Sequence, residues 1–218
     1  MICGVDEAGK GPVLGPLVVA GVCFSDEGFI NNLGVKDSKK HTPRKRQLFE
    51  KVIKQHAASY EILIIPASDI DDMRKVMTMN EIEVFAFTKV IKKLKPDLCY
   101  VDAADVNENR FGESIGKHLS KKTEIISKHK ADDLFPIVSA ASILAKTRRD
   151  AEMEKIAETL EKRINRPLGS GYPADPITKD FLETWVKTYK KLPPHTRKSW
   201  NTAKKLINTY KTKRLDDF

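Results

Sequence analysis

The chain has 218 residues, with 39 Lys+Arg against 30 Asp+Glu and a formal charge of +9; at 40% hydrophobic and 32% charged it is globular in composition, enough for one large or two small domains. Residues 13–24, the most apolar stretch, are interrupted by Gly15, Pro16 and Gly21 and are too short to span a bilayer, and no basic leader opens the N-terminus, so a cytoplasmic protein is expected. Cys3, Cys23 and Cys99 stand far apart with no CxxC pair, which predicts a reduced chain without a zinc knuckle or disulfide framework.

In chain order, Met1 to Val5 reads as a short strand running into Asp6-Glu7, and Leu17 to Phe24 as a second, β-branched strand after a glycine-rich turn. Thr42-Pro43 is an N-cap followed by proline, opening a helix to about Ala57; Tyr60 to Ile65 is a third strand. Thr78 and Glu81 form a capping box, and the helix behind it ends before Pro96. Leu98 to Val101 is a compact strand ending at Asp102, followed by a helix from about Asn107 and a strand near Thr123 to Ser127. Ile137 to about Asn165 is the longest helical signal and starts with small residues, Ser139 to Ser142. After a proline- and glycine-containing loop at 166–177, two helices at about 177–190 and 199–211 complete the chain. Alternating strands and helices predict an α/β sheet with helices on its faces. The domain reading is a catalytic portion, 1–176, and a basic, aromatic helical extension, 177–218.

Residues 181–218 hold ten Lys/Arg and three Asp/Glu, together with Trp185, Trp200, Tyr189 and Tyr210. Basic side chains interleaved with aromatics suit a polyanion, since Lys and Arg release phosphate counterions while rings stack. The alternative is a solvated face whose aromatics are core.

Gly4 to Lys10 satisfies the first part of a P-loop, G-x-x-x-x-G-K, but that reading fails. Gly11 stands where a magnesium-binding Ser or Thr is needed, Asp6 and Glu7 would repel phosphates inside the loop, and Pro12 has no N–H to donate. A nucleotide phosphotransferase is weakened accordingly. The two acids are more informative: they end a strand, as Asp102 ends another, and ligands of open α/β sheets gather beyond strand ends. Adjacent strand residues face opposite sides, so only one of Asp6 and Glu7 would naturally face a given site. Asp105 rivals Asp102, and Asp132 and Asp133 form a third cluster. Carboxylates held together resist ionising unless a cation joins them, and all-oxygen ligands select Mg²⁺ or Mn²⁺ over zinc. Two such ions can activate water and stabilise the leaving oxygen of a phosphodiester. The five histidines show no metal-ligand spacing.

GVDEAGKGPVLGP at 4–16, VKDSKK at 35–40, YVDAADV at 100–106, HKADDLFPIVSAASILAKTRRD at 129–150 and GSGYPADPIT at 169–178 together resemble type 2 ribonuclease H (ribonuclease HII), closest to its archaeal form, over residues 1–205. The resemblance implies an RNase H-like fold, a mixed sheet flanked by helices with a helical C-terminal extension. It also implies Mg²⁺- or Mn²⁺-dependent cleavage of RNA in RNA–DNA hybrids and 5′ of single ribonucleotides in duplex DNA, leaving 3′-hydroxyl and 5′-phosphate ends, by a monomer acting in replication and repair. Carried over by position, the family's catalytic and metal-binding acids fall on Asp6, Glu7, Asp102 and Asp132, which selects Asp102 over Asp105 and Asp132 over Asp133. The turn that meets the ribose 2′-hydroxyl falls on Gly9, Lys10 and Gly11, the sugar-packing tyrosine on Tyr172, and phosphate contacts on Lys39, Ser142 and Lys146. Lys10 replaces the usual arginine, which keeps the charge but loses the planar fork.

Residues 212–218, TKRLDDF, resemble the tail of a sliding-clamp-binding motif through Leu215 and Phe218, with the usual leading glutamine replaced by Thr212. Beside the nuclease, a non-catalytic nucleic-acid-binding module would explain the basic extension but would leave four acids beside a polyanion.

Overall fold

The structure, a computed structural model, describes residues 1–25, 27–32, 34–35, 42–119 and 123–215, and for 27, 31, 32 and 210–215 the backbone alone. Lys39 and Phe218 lie outside the described residues, as does the side chain of Leu215. No helix among the described residues is long and apolar enough to cross a membrane.

Strand β1 (Ile2–Ala8) pairs antiparallel with β2 (Leu17–Phe24) and parallel with β4 (Leu98–Asp102), which pairs parallel with β5 (Glu124–Lys128). With β3 (Ser59–Ile65) the mixed sheet runs β3-β2-β1-β4-β5. The helices are α1 (Glu27–Asn32), α2 (Pro43–His56), α3 (Ala67–Met73), α4 (Met79–Leu94), α5 (Glu108–Lys117), α6 (Ala131–Leu134), α7 (Pro136–Ile164), α8 (Pro176–Tyr189) and α9 (Asn201–Leu215). Strand β1 continues past the acids to Ala8, further than its apolar run suggests, because each residue through Ala8 still finds a partner on β2. Thr42 caps α2, and Thr78 with Glu81 forms the expected capping box of α4.

The chain divides into two compact units. One comprises Met1–Ala8, Val18–Ile64 and Met77–Arg148; the other comprises Gly9–Leu17, Ile65–Val76 and the chain from Arg149 onward. In the first, Val18, Ala20, Val22 and Phe24 of β2 pack with Val138, Ala141, Leu144 and Ala145 of α7, each large apolar side chain contributing roughly 1.5–3 kcal/mol on full burial. The small-residue start of α7 has a direct cause. A Cβ added at Gly4 would overlap the backbone carbonyl of Ile137, so helix and strand backbones touch there. A Cβ on Gly21 would come within 2.6 Å of Val90 and 2.7 Å of Leu94, so α4 approaches β2 closely too.

Cys3 and Cys23 stand opposite each other in the β1–β2 register, with Cα atoms 4.1 Å apart, and are joined as a disulfide. This corrects the reading of a chain without disulfides: twenty residues of sequence separation say nothing about antiparallel register. Cys99 is free and buried, and burial pushes its thiol pKa up.

The second unit packs Val13, Leu14, Met153, Ile156, Leu160, Leu168, Phe181, Leu182 and Trp185 into its own core, with Trp200 partly buried against it. Both tryptophans of the basic segment therefore serve packing.

Candidate metal centre and turn

Strands β1 and β4 lie side by side with Val5 opposite Val101, so Asp6 and Asp102, each one residue on, sit at the same level of the sheet. The β4–β5 register sets Asp102 opposite Lys128, and the chain turns through His129 and Lys130 into α6, which carries Asp132. One carboxylate oxygen from each of Asp6, Asp102 and Asp132 lies within 4.8 Å of the others. Asp6 and Asp132 are buried and Asp102 half-buried.

Burial first, and the neighbouring Asp102 carboxylate second, push the Asp6 pKa up to about 7. The rise is opposed by a hydrogen bond from Ser142, the Lys146 charge and the Glu7 N–H, which donates to Asp6 Oδ1 at 2.7 Å. Asp102 Oδ1 accepts the Ala131 N–H at 3.2 Å. Lys146 Nζ is 3.9 Å from Asp132 Oδ2. Ser142 and Lys146 are one turn apart on α7, so both face the acids.

Glu7, next to Asp6 on a regular strand, lies outside this group of three. Asp105 is committed elsewhere. It pairs with the Arg110 guanidinium and accepts from Asn107 N and Asn80 Nδ2, which holds its carboxyl below the usual range. Asp133 is exposed and also outside the group. Three converging carboxylates, one resisting ionisation, form an all-oxygen donor set suited to a hard divalent cation, which would remove their mutual repulsion.

In the second unit, Gly9 has φ +90°, and a Cβ there would meet Pro16 O at 2.6 Å and Arg149 at 2.8 Å, so only glycine fits. The carbonyls of the Gly9–Lys10–Gly11 turn are gripped from behind. Fully buried Arg197 donates Nη2 to Gly9 O, Nη1 to Lys10 O at 2.7 Å and Nε to Gly15 O at 3.0 Å; Trp200 Nε1 donates to Gly11 O at 3.2 Å. A Cβ on Gly11 would lie 3.5 Å from the Tyr172 ring, which is 41% exposed and stacks against Arg149, 5.3 Å from centroid to guanidinium carbon. Asp175 holds the Tyr172 loop by accepting Ser170 N at 2.7 Å and Ile177 N at 3.0 Å; these bonds, Ser170 foremost, pull its pKa down to about 2.

Arg197 was not singled out by sequence reasoning, which took its segment as a polyanion grip. Nothing in the spacing marks it, because its acceptors lie more than 180 residues away.

A mixed sheet flanked by helices, with acids converging at the ends of adjacent strands, defines a metal-dependent nuclease of the RNase H-like class. The family model described as Ribonuclease HII matches residues 3–203. Ribonuclease HII of Methanosarcina barkeri is 48% identical over 216 residues, covering 94% of this chain and 95% of its own. The crystal structure of the ribonuclease H2 from Pyrococcus horikoshii superposes with a TM-score of 0.87 at 40% identity, covering 96% of this chain and 98% of that one. The structure of the PCNA:RNase HII complex from Archaeoglobus fulgidus superposes at 0.85 and 37% identity, covering 94% and 96%. The chain belongs to the ribonuclease HII family, enzymes that require a divalent metal and cleave RNA in RNA–DNA hybrids and at ribonucleotides in DNA.

Proposed function

We propose that Asp6, Glu7, Asp102 and Asp132 hold Mg²⁺ or Mn²⁺, and that the enzyme cuts 5′ of a ribonucleotide to leave 3′-hydroxyl and 5′-phosphate ends. The observation that carries this reading is the convergence of three carboxylate oxygens from three separate chain segments within 4.8 Å. Held by these carboxylates, such ions would supply Lewis-acid stabilisation of the departing 3′-oxygen and would lower the pKa of water. Asp6 must lose its proton to bind a cation, which its pKa of about 7 allows near neutrality. Ser142 orients Asp6, the Ala131 N–H orients Asp102, and Lys146 balances Asp132 and is close enough to meet a substrate phosphate.

Ribose is read by Gly9, Lys10 and Gly11, whose carbonyls are engaged by Arg197 and Trp200, with the exposed Tyr172 ring as the sugar platform. Lys39 completes the phosphate contacts. Residues 1–176 carry the chemistry, and the basic residues of 177–218 grip the duplex backbone. The Leu215–Phe218 tail binds a sliding clamp, a reading supported by the relative whose solved structure is a PCNA complex. Heat on titrating the tail peptide into the clamp is the expected result. The setting is cytoplasmic ribonucleotide removal by a monomer.

The deciding assay incubates the protein with a DNA duplex containing one ribonucleotide, with Mg²⁺, Mn²⁺ or EDTA. Metal-dependent incision 5′ of the ribonucleotide is expected. Equal cutting of all-DNA duplex, or none at all, would overturn the proposal.

A further inference from the structure

The position of Asp132 depends on the turn that joins β5 to α6. Lys130 adopts φ +55°, a left-handed conformation that is uncommon without glycine, and its side chain makes no capping bond to α6. Only two residues lie between His129 and Asp132, so the path of this turn sets where that carboxylate arrives.

The turn is held from across the β4–β5 edge. Glu108, the first residue of α5, accepts Lys128 Nζ on Oε1 at 2.7 Å and the His129 backbone N–H on Oε2 at 3.0 Å. The His129 ring nitrogen Nε2 lies 3.2 Å from Val106 O, and Ala103 N donates to Lys128 O at 2.9 Å. Glu108 therefore spans both oxygens across the last strand residue and the first turn residue of the segment leading to Asp132. It stands outside the carboxylate cluster itself.

We propose that Glu108 is a positioning residue for the metal centre, acting through the 128–131 turn to deliver Asp132 to Asp6 and Asp102. This rests on the reading that Asp132 holds metal. What matters is the reach of the side chain to the His129 N–H. Glutamine keeps that reach and an acceptor oxygen, whereas aspartate keeps the charge, and its favourable place at a helix start, but is one methylene too short.

The test is Mn²⁺ binding to the full chain, followed by electron paramagnetic resonance, with thermal unfolding of the metal-free protein alongside. Glu108→Asp is expected to weaken Mn²⁺ binding about tenfold, the scale on which outer-sphere partners act. Its metal-free unfolding midpoint should stay near wild type, and Glu108→Gln should bind Mn²⁺ within about twofold of wild type, well inside the outer-sphere scale. Wild-type affinity in Glu108→Asp, or equal losses in the Asp and Gln variants, would overturn the inference. Asp132→Asn measured in parallel separates the two ideas: wild-type Mn²⁺ affinity there would instead refute metal binding by Asp132.

Discussion

Replacing Asp6 with asparagine should abolish cleavage yet stabilise the metal-free protein, and only above a particular pH. In the folded chain Asp6 titrates near 7 instead of its ordinary 3.8, chiefly through burial. Between those values the native state binds one proton more than the unfolded state, so wild-type stability falls as pH rises, at roughly 1.4 kcal/mol per pH unit. Above pH 7 the carboxylate is charged in both states and the loss is complete, about 4 kcal/mol as an upper bound. Asparagine carries no such penalty, and all other titrating groups are shared. The Asn variant should therefore match wild type near pH 4 and exceed it by up to about 4 kcal/mol at pH 8. Urea denaturation in EDTA at both pH values measures this. Millimolar Mg²⁺ should close the gap by binding the native wild type alone. An Asn advantage that does not change between pH 4 and pH 8, or that is absent at pH 8, would refute the reasoning.

Asp102→Asn should leave the fold intact while lowering hybrid cleavage by more than the ~100-fold that outer-sphere partners are worth, as a gel assay of a labelled duplex will read. Tyr172→Ala should slow incision at a single embedded ribonucleotide by about ten- to a hundredfold, the scale of one lost aromatic stack; an unchanged rate would remove the sugar-platform role. Arg197→Lys should lower stability by on the order of 3 kcal/mol, because ammonium cannot serve three carbonyls in one plane; chemical denaturation checks it. Gly4→Ala should cost about 1–3 kcal/mol by forcing α7 away from β1, read as a lower Tm.

Most of the strands and long helices were legible because their signals are local. Thr78 and Glu81 cap their own helix, and Leu98 to Val101 runs straight into Asp102. Strand ends also pointed to a shared site for the acids after Val5 and Val101, although the family resemblance was needed to prefer Asp102 over Asp105. Choosing Asp132 over Asp133 needed the family resemblance, since adjacent residues carry the same chemistry and only the fold, which buries Asp132 and exposes Asp133, separates them. The Cys3–Cys23 pairing depended on strand register, which cysteine spacing does not encode. Arg197 was invisible for a related reason. Its sequence neighbours Lys198 and Ser199 donate backbone N–H groups to Asp71, while its own side chain reaches back to residues 9, 10 and 15.

The grip of Arg197 on the Gly9–Gly11 turn also orders events during synthesis. The acids of the metal centre have all left the ribosome once residue 132 has emerged, but the guanidinium that fixes the turn follows 65 residues later. Val13 and Leu14 likewise wait for Gly171 O, and Gly15 for His195 O. At about 5–20 residues per second, the nascent chain spends several seconds able to gather its carboxylates before the turn at residues 9–11 is held. The set shape of the Gly9–Gly11 turn is thus among the last features the growing polypeptide acquires.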